Sequence, residues 1–353
     1  MALLTTTIGS YPKPSQVPVP NWFEIRKLCG EQRWDPTRAY DEYLEKQGSD
    51  ARSRIEDGTK EIVREQVDLG IDVPTDGEIP REHYVYYHLR HVEGFDFGQL
   101  TEASMRGGSW RAEVPTVRRP LKAGAPFLSH DWRVAQSSTD RPVKMTVPGP
   151  LTIMDSTADA HYGDQVSLGV ALADVLNAEI RALADAGCTW IQIDEPVFAR
   201  YPEAAVDRGL ELLARCFHGV PETVRRVVHV CCGYPSDLDL EDYPKADGGA
   251  YLQIADGLEQ SPVDVVSLED AHRHNDMALL ERFRRTSVIL GVVGIARTRI
   301  ESVEEIRERL LSALEHIDAE RLIAGPDCGL IMLPRKVARA KLRNIAIAAH
   351  GVG

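Results

Sequence analysis

Long hydrophobic runs are missing from this 353-residue chain. No apolar stretch approaches the ~18 residues of a membrane-spanning helix. The start, Met1 to Thr7, lacks the charged residues and long apolar core of a secretory signal. The chain is therefore read as soluble and cytoplasmic, with no membrane partner. Basic blocks are missing too. Lys and Arg number 41 against 54 Asp and Glu, a formal charge of −13, which speaks against a nucleic-acid partner because phosphate backbones are held by clustered cations. Repeats and low-complexity tracts are absent, so one domain is expected over residues 1–353. Cysteine is sparse, at positions 29, 188, 216, 231, 232 and 328. Without a secretory signal these need not be disulfides, and metal or catalytic roles become the better question. The rest, 43% hydrophobic and 27% charged with 27 Gly and 21 Pro, is ordinary globular usage.

Eight short β-branched or apolar runs recur along the chain: Leu3–Ile8, Ile71–Pro74, Val143–Val147, Thr189–Ile193, Val227–Val230, Val263–Leu268, Val288–Val293 and Leu322–Ala324. Helical patterns lie between most of them, over Arg52–Leu69, Val166–Ala186, Ala204–Phe217, Met277–Arg284, Ser302–His316 and Arg335–Ala349. Strands alternating with helices predict parallel pairing, and eight such units predict an α/β fold of the closed (β/α)8 TIM-barrel type. Two stretches exceed what a minimal barrel needs, 12–34 after strand 1 and 93–140 after strand 2. Both are expected to be long covering loops, where barrel enzymes keep substrate-specific walls.

Most proposed strands run at once into polar or thiol residues: Ile8-Gly9-Ser10, Asp76-Gly77-Glu78, Gly149-Pro150, Asp194-Glu195-Pro196, His229-Val230-Cys231-Cys232, Glu269-Asp270 and Asp327-Cys328-Gly329. A barrel gathers all these ends on one face. His229 and Cys231 alternate on a strand and so share a face. With Glu269 and Cys328 they offer one nitrogen, two thiolates and a carboxylate, a set suited to tetrahedral zinc. Cys232, His272 and His274 are competing ligands, and a buried Cys is more often a small hydrophobe. Gly9 read alone is a tight turn, and Ser10, Asp76 and Asp194 read alone are caps.

Taken together, these residues resemble a known family. Thr5-Thr6-Thr7-Ile8-Gly9-Ser10-Tyr11-Pro12, Gly77-Glu78, Gly149-Pro150, Ile193-Asp194-Glu195-Pro196, His229-Val230-Cys231, Ser267-Leu268-Glu269 and Pro326-Asp327-Cys328-Gly329-Leu330 resemble, in order and over nearly the whole chain, the catalytic half of cobalamin-independent methionine synthase. The chain looks like a single-barrel, core-type member. The resemblance implies methyl transfer to the thiol of homocysteine, with zinc on His229, Cys231, Glu269 and Cys328. It further implies that Ile8, Gly9 and Ser10 cradle the amino acid carboxylate, while Glu78 and Asp194, with Glu195 beside them, form the side that accepts from the ammonium.

The donor side departs from the family. Ser156 stands where folate-using members carry a stacking tryptophan, Arg200 where they carry a folate-contacting glutamate, and Ala296 where they carry a proton-donating histidine. An N-methyl amine leaves poorly unless protonated. The expected donor is therefore either a methyl-folate or a methyl-corrinoid, the latter implying a possible corrinoid-protein partner. The acidic chain disfavours a polyanionic folate tail, although Arg111, Arg118 and Arg119 could meet one. His272 and His274 could replace the missing acid. The competing reading is a polar loop with Asn275 or Asp276 capping the helix near Met277. Rival functions are alkylation of another thiol, as in epoxide-to-coenzyme M transfer, a metal-free decarboxylase resembling uroporphyrinogen decarboxylase, and a non-catalytic module that binds homocysteine or a corrinoid protein.

Overall fold

The computed structural model describes residues 2–20, 40, 43–105, 110–241 and 243–352. Cys29 and the part of the first covering segment beyond residue 20 lie outside the described residues. The strands are β1 (Leu4–Thr5), β2 (Val92–Met105), β3 (Trp110–Ala123), β4 (Lys144–Pro148), β5 (Ala158–Asp159), β6 (Trp190–Asp194), β7 (Arg225–Val230), β8 (Val265–Leu268), β9 (Ser287–Gly291) and β10 (Leu322–Gly325). Among the described residues seven of these form one parallel sheet in the order β1-β10-β9-β8-β7-β6-β4. The run expected as a strand at Ile71–Pro74 closes the gap between the edges through two parallel bridges, Thr6 to Val73 and Thr75 to Lys144. Its backbone pairing is short: the N–H groups of Asp72 and Val73 donate to the Thr5 carbonyl, and the Lys144 N–H donates to the Pro74 carbonyl. Eight parallel segments therefore surround one lumen, as expected of a TIM barrel.

The second covering segment is not a loop. It is a long antiparallel hairpin of β2 and β3 with register shifts near Glu93 and Asp96, against which β5 pairs. Its β-branched and aromatic residues favour strands but do not alternate strictly, because the bulges break the period of two.

Helices wrap the sheet: α1 (Ala51–Asp68), α2 (Leu128–Gln136), α3 (Pro150–Asp155), α4 (Gln165–Ala186), α5 (Leu210–Cys216), α6 (Ala250–Gln260), α7 (Val303–Leu314) and α8 (Arg335–His350). Their ends follow local chemistry. Asp164 caps α4, and Ser302 with Glu305 forms a reciprocal capping box at the start of α7. The helix expected over Ala204–Phe217 is split by a π turn at Ala205–Gly209, and that near Met277 is a 3-10 turn capped by Asp276. Helix α6 is absent from the sequence expectations, although Tyr251, Ile254, Ala255 and Leu258 form one continuous buried face.

Strand parity sorts the side chains. Val228, Val230, Val266, Leu268, Val288 and Leu290 face the helices in the main core, while Trp190, Val227, Val265, Ile289, Ile323, Ile8 and Val73 form a separate apolar floor. Gln192, His229 and Ser267 follow two positions later on their strands, above that floor, and the strand ends follow above them.

Candidate metal centre and its acidic neighbour

Register decides what meets at the mouth. Asp194 pairs with His229, and His229 with Ser267, across β6, β7 and β8. Close approach of the segments depends on missing side chains: a Cβ at Gly329 would lie 2.1 Å from Ser10 Oγ, and one at Gly291 would lie 2.3 Å from Asp327 Oδ1. The last strand end thus packs directly on the first.

His229, Cys231 and Cys328 bring one donor atom each to within 4.8 Å of the others. His229 is buried. Its Nδ1 is hydrogen-bonded to Ser267 Oγ at 2.9 Å, which leaves Nε2 pointing at Cys328 Sγ, 3.4 Å away. A ring nitrogen fixed by a neighbour while the other faces outward is the arrangement of a metal-binding imidazole. Burial and the charge of Lys144 push the His229 pKa down to about 3, so the ring is a neutral ligand. Cys231 is held well above the usual thiol range by its hydrogen bond with Cys328 and by burial. Glu269 stands outside the 4.8 Å group but near enough to Cys231 for each to bias the other's protonation. It is 4% exposed, and neither carboxylate oxygen has a hydrogen-bond partner among the described residues. A buried carboxylate with both oxygens unsatisfied is costly unless something cationic is bound there. Two thiols and an imidazole, with this carboxylate nearby, are donor types that suit a four-coordinate divalent ion.

Asp327 holds the frame. Its Oδ1 accepts from the N–H groups of Asp270 and Ala271 and its Oδ2 from that of His272, all at 2.9 Å. It therefore ties the loop after Glu269 to the segment that carries Cys328. Asp327 lies inside a motif recognised in the sequence, and only the fold reveals this role.

A group of buried acidic side chains, Asp76, Glu78 and Asp194, adjoins the cluster. Glu78 has φ +55, a left-handed conformation that a non-glycine residue adopts at a cost and that marks special sites. It is held there by its N–H donating to Asp76 Oδ1 at 3.0 Å. Glu78 Oε1 accepts from Thr146 Oγ1 at 2.8 Å and lies 3.3 Å from Arg81 Nη1; Arg81 Nη2 reaches Asp76 Oδ2 at 3.2 Å. Asp194 Oδ1 accepts from Gln192 Nε2 at 2.7 Å, and that same amide nitrogen donates to the Ile8 carbonyl at 2.8 Å. Burial and the charge of Glu78 push the Asp194 carboxyl up to about 8. Ile8, Gly9 and Ser10 line the same rim, with Gly9 so close to Glu78 that a Cβ there would meet its Oε1 at 2.8 Å.

Three candidates fall outside this grouping. Glu195 gives Oε1 to the N–H of Leu151 and Oε2 to the N–H and hydroxyl of Thr152, at 2.8 to 3.1 Å, and so caps α3. Its carboxylate fills the space where a side chain on Gly149 would sit. His272 Nε2 accepts the Ile295 N–H at 3.1 Å, and burial pushes its pKa down to about 3, so this nitrogen carries no proton to give. His274 is exposed, and Asp276 is the cap in this loop. Of the other thiols, Cys188, Cys216 and Cys232 belong to the main core.

On the opposite rim, Arg200 pairs with Asp155 at 2.7 Å, and the Ser156 carbonyl accepts the Tyr86 hydroxyl at 3.2 Å. Ala296 is buried and offers only backbone, its carbonyl accepting the Asp239 N–H at 2.8 Å. No helix among the described residues is long and apolar enough to cross a membrane.

Comparison with known proteins places this geometry. The profile of the family described as "Cobalamin-independent synthase, Catalytic domain" matches residues 3–351. A methionine synthase of Thermococcus kodakarensis is 30% identical over 346 residues, covering 97% of this chain and 91% of that protein. One from Sulfolobus acidocaldarius is 31% identical over 345 residues, covering 97% and 90%. The solved B12-independent methionine synthase from Shewanella sp. W3-18-1, in complex with selenomethionine, superimposes with a TM-score of 0.84 at 29% identity, covering 99% of this chain and 97% of that one.

Proposed function

The chain belongs to the cobalamin-independent methionine synthase family, and from that premise we propose that it methylates the thiol of homocysteine at a zinc site formed by His229, Cys231, Cys328 and Glu269. The observation that carries this reading is the meeting of His229, Cys231 and Cys328 beside a carboxylate with two unsatisfied oxygens. Zinc at these residues would supply the deprotonation that a free thiol, with a pKa of about 8.5, lacks at neutral pH. The remaining work falls to the chain itself. Asp194 and Glu78 accept hydrogen bonds from the ammonium of the acceptor, and Ile8, Gly9 and Ser10 meet its carboxylate. The Shewanella relative in complex with selenomethionine supports a site that takes an amino acid bearing a soft chalcogen.

The sulfur lone pair attacks the methyl carbon, the bond from carbon to the donor breaks, and the donor leaves with that electron pair. A pterin amine leaving group needs a proton, and the rim at Ser156, Arg200 and Ala296 offers neither an aromatic platform nor an acid at those positions. The reading that fits is a donor whose leaving group needs no proton, a methyl-corrinoid, free or carried by a partner protein. One catalytic barrel domain suffices for this, and reduced zinc-binding thiols suit the cytoplasm.

The test is methionine formation by zinc-loaded protein from homocysteine, with methyl-tetrahydrofolates, methylcobalamin and protein-bound methylcobalamin compared as donors. Methionine from the corrinoid donors alone is the expected result. Turnover with the folates would overturn the donor reading, and no methionine from any donor would overturn the activity.

A further inference from the structure

Glu78 meets the mouth with one oxygen already taken. Its Oε1 receives the Thr146 hydroxyl at 2.8 Å and lies 3.3 Å from Arg81 Nη1. The backbone of Gly9 covers the same atom, since a Cβ there would sit 2.8 Å from Oε1 and 3.4 Å from Thr146 Cγ2. Oε2 has no hydrogen-bond partner among the described residues, and unlike the two oxygens of Glu269 it is not sealed from solvent. One oxygen is thus fixed and the other offered.

The direction of these bonds follows from what each group can do. A guanidinium only donates, so Thr146 Oγ1 must accept from Arg81 Nη1, 2.6 Å away. Its single proton then points at Glu78 Oε1. Arg81 is itself pinned, with Nη2 donating to Asp76 Oδ2 at 3.2 Å, while Asp76 Oδ1 accepts the Glu78 N–H at 3.0 Å. The four residues close a ring that holds Glu78 by backbone and side chain together, as its φ of +55 requires. All four are 7% exposed or less, so bulk water does not stand in for a missing member. Thr146 also has a counterpart. It lies opposite Gln192 in the register of β4 and β6, and Gln192 Nε2 holds Asp194 Oδ1 at 2.7 Å, leaving Asp194 Oδ2 in the same condition as Glu78 Oε2. One cross-strand pair of neutral donors therefore presents two carboxylate oxygens to the mouth.

Resting on the homocysteine reading, we infer that Thr146 is a positioning residue that sets specificity: acting through Glu78 and oriented by Arg81, its hydroxyl turns Oε2 towards the acceptor's ammonium, and so makes the site select a thiol that carries an amine. A thiol without an amine gains nothing from that oxygen. Without the hydroxyl the carboxylate can rotate about its last bond, and a hydrogen bond that needs a fixed acceptor weakens.

The experiment is calorimetric titration of methionine and of 4-(methylthio)butanoate, the same molecule without its amine, into zinc-loaded wild type, Thr146→Val and Thr146→Ser. Zinc content and circular dichroism are measured on each. The expected result is a preference for methionine that falls at least about fivefold in Thr146→Val, the order of a lost hydrogen bond, while the amine-free compound binds as it does to wild type. Thr146→Ser keeps the hydroxyl and with it the preference. Equal weakening of both compounds, or loss of zinc, is what a merely structural role gives, and either overturns the inference. A smaller fall in Thr146→Val overturns it as well. So does a loss in Thr146→Ser as large as that in Thr146→Val, because the methyl group and not the hydroxyl would then matter. Should Thr146→Val fail to fold, Thr146→Ala is titrated in its place; if neither folds, the hydroxyl serves the barrel and the inference falls. Wild type that binds neither compound, or does not prefer methionine, overturns the homocysteine reading instead.

Discussion

The two sides of the barrel mouth are fastened in different ways. On the side of β6 to β10, every polar group of the site lies in a strand or within three residues of its end, and most of the frame is held by buried partners: His229 by Ser267, Asp194 by Gln192, and the loop after Glu269 by Asp327. The opposite side is built from insertions and from the helices after β4 and β6; beside the buried Glu195 that caps α3 and the buried Arg81 that holds Asp76 and Glu78, it relies on half-exposed or exposed pairs such as Arg200 with Asp155, Arg118 with Asp96 and Arg111 with Glu102. Pairs of that kind contribute about 0–1 kcal/mol each. One side is preorganised and intolerant of change; the other can be rebuilt without disturbing it.

The sharpest attack on this comparison is the removal of one thiol. Cys231→Ala or Cys328→Ala should cut zinc content from one per chain to a trace and reduce methyl transfer by more than the roughly 100-fold that loss of a supporting residue causes. Retained zinc in either variant, measured by atomic emission, would break the proposed donor set. Next comes pH. Cys231, Cys328 and Glu269 all have pKa values above their ordinary range, and His229 is pushed down to about 3. In the metal-free chain the two thiols and the carboxyl are protonated while the imidazole is not, so zinc must displace protons. Affinity should rise with pH, by roughly 10-fold per unit for each of the up to three protons released, and a flat profile in chelator competition at pH 6, 7 and 8 would contradict this. Smaller still are the supports. Ser267→Ala and Asp327→Asn should each weaken zinc by about 10- to 100-fold in the same competition assay, with the far-ultraviolet spectrum unchanged. The smallest effect is expected across the mouth. Arg200→Ala should alter thermal stability by no more than about 1 kcal/mol and leave methionine affinity within twofold, with any change confined to the donor's KM. A large loss of methionine binding there would erase the distinction between the sides.

The same contrast governs what the sequence could reveal. His229, Cys231, Asp194 and Cys328 stand next to short apolar runs, so recognising the strand also locates the residue. Glu195 looks alike in sequence, one residue beyond Asp194, yet period-two geometry turns it to the other face, where it caps α3. His272 and His274 lie in a loop whose backbone path carries no periodic signal, and only the fold reveals that one is tied to Ile295 and the other is exposed. Ser267 and Gln192 sit mid-strand and Lys144 opens its strand, all as isolated polar residues, and their parity with the lumen becomes visible once register is known. The hairpin of β2 and β3 does not show as strand in the sequence because its bulges hide its alternation, whereas the apolar run Ile71–Pro74 marks the segment that closes the barrel although only two bridges form there.

One pairing has a consequence for how the chain acquires its shape. β1 lies against β10, with Leu4 opposite Ile323 and Thr5 opposite Ala324, and the Leu330 N–H donates to the Ser10 carbonyl. During synthesis, at about 5–20 residues per second, roughly 15–60 s separate the emergence of these partners. Throughout that interval the first strand has an unpaired edge, and the pocket bordered by Ser10 on one side and Cys328 on the other does not exist. Sequence-distant contacts of this kind slow folding, because a long loop must close before any stabilisation is returned. The nascent chain is thus most open to wrong edge pairing and thiol oxidation just before its last helix, α8, packs its Ala349 carbonyl onto the Leu3 N–H.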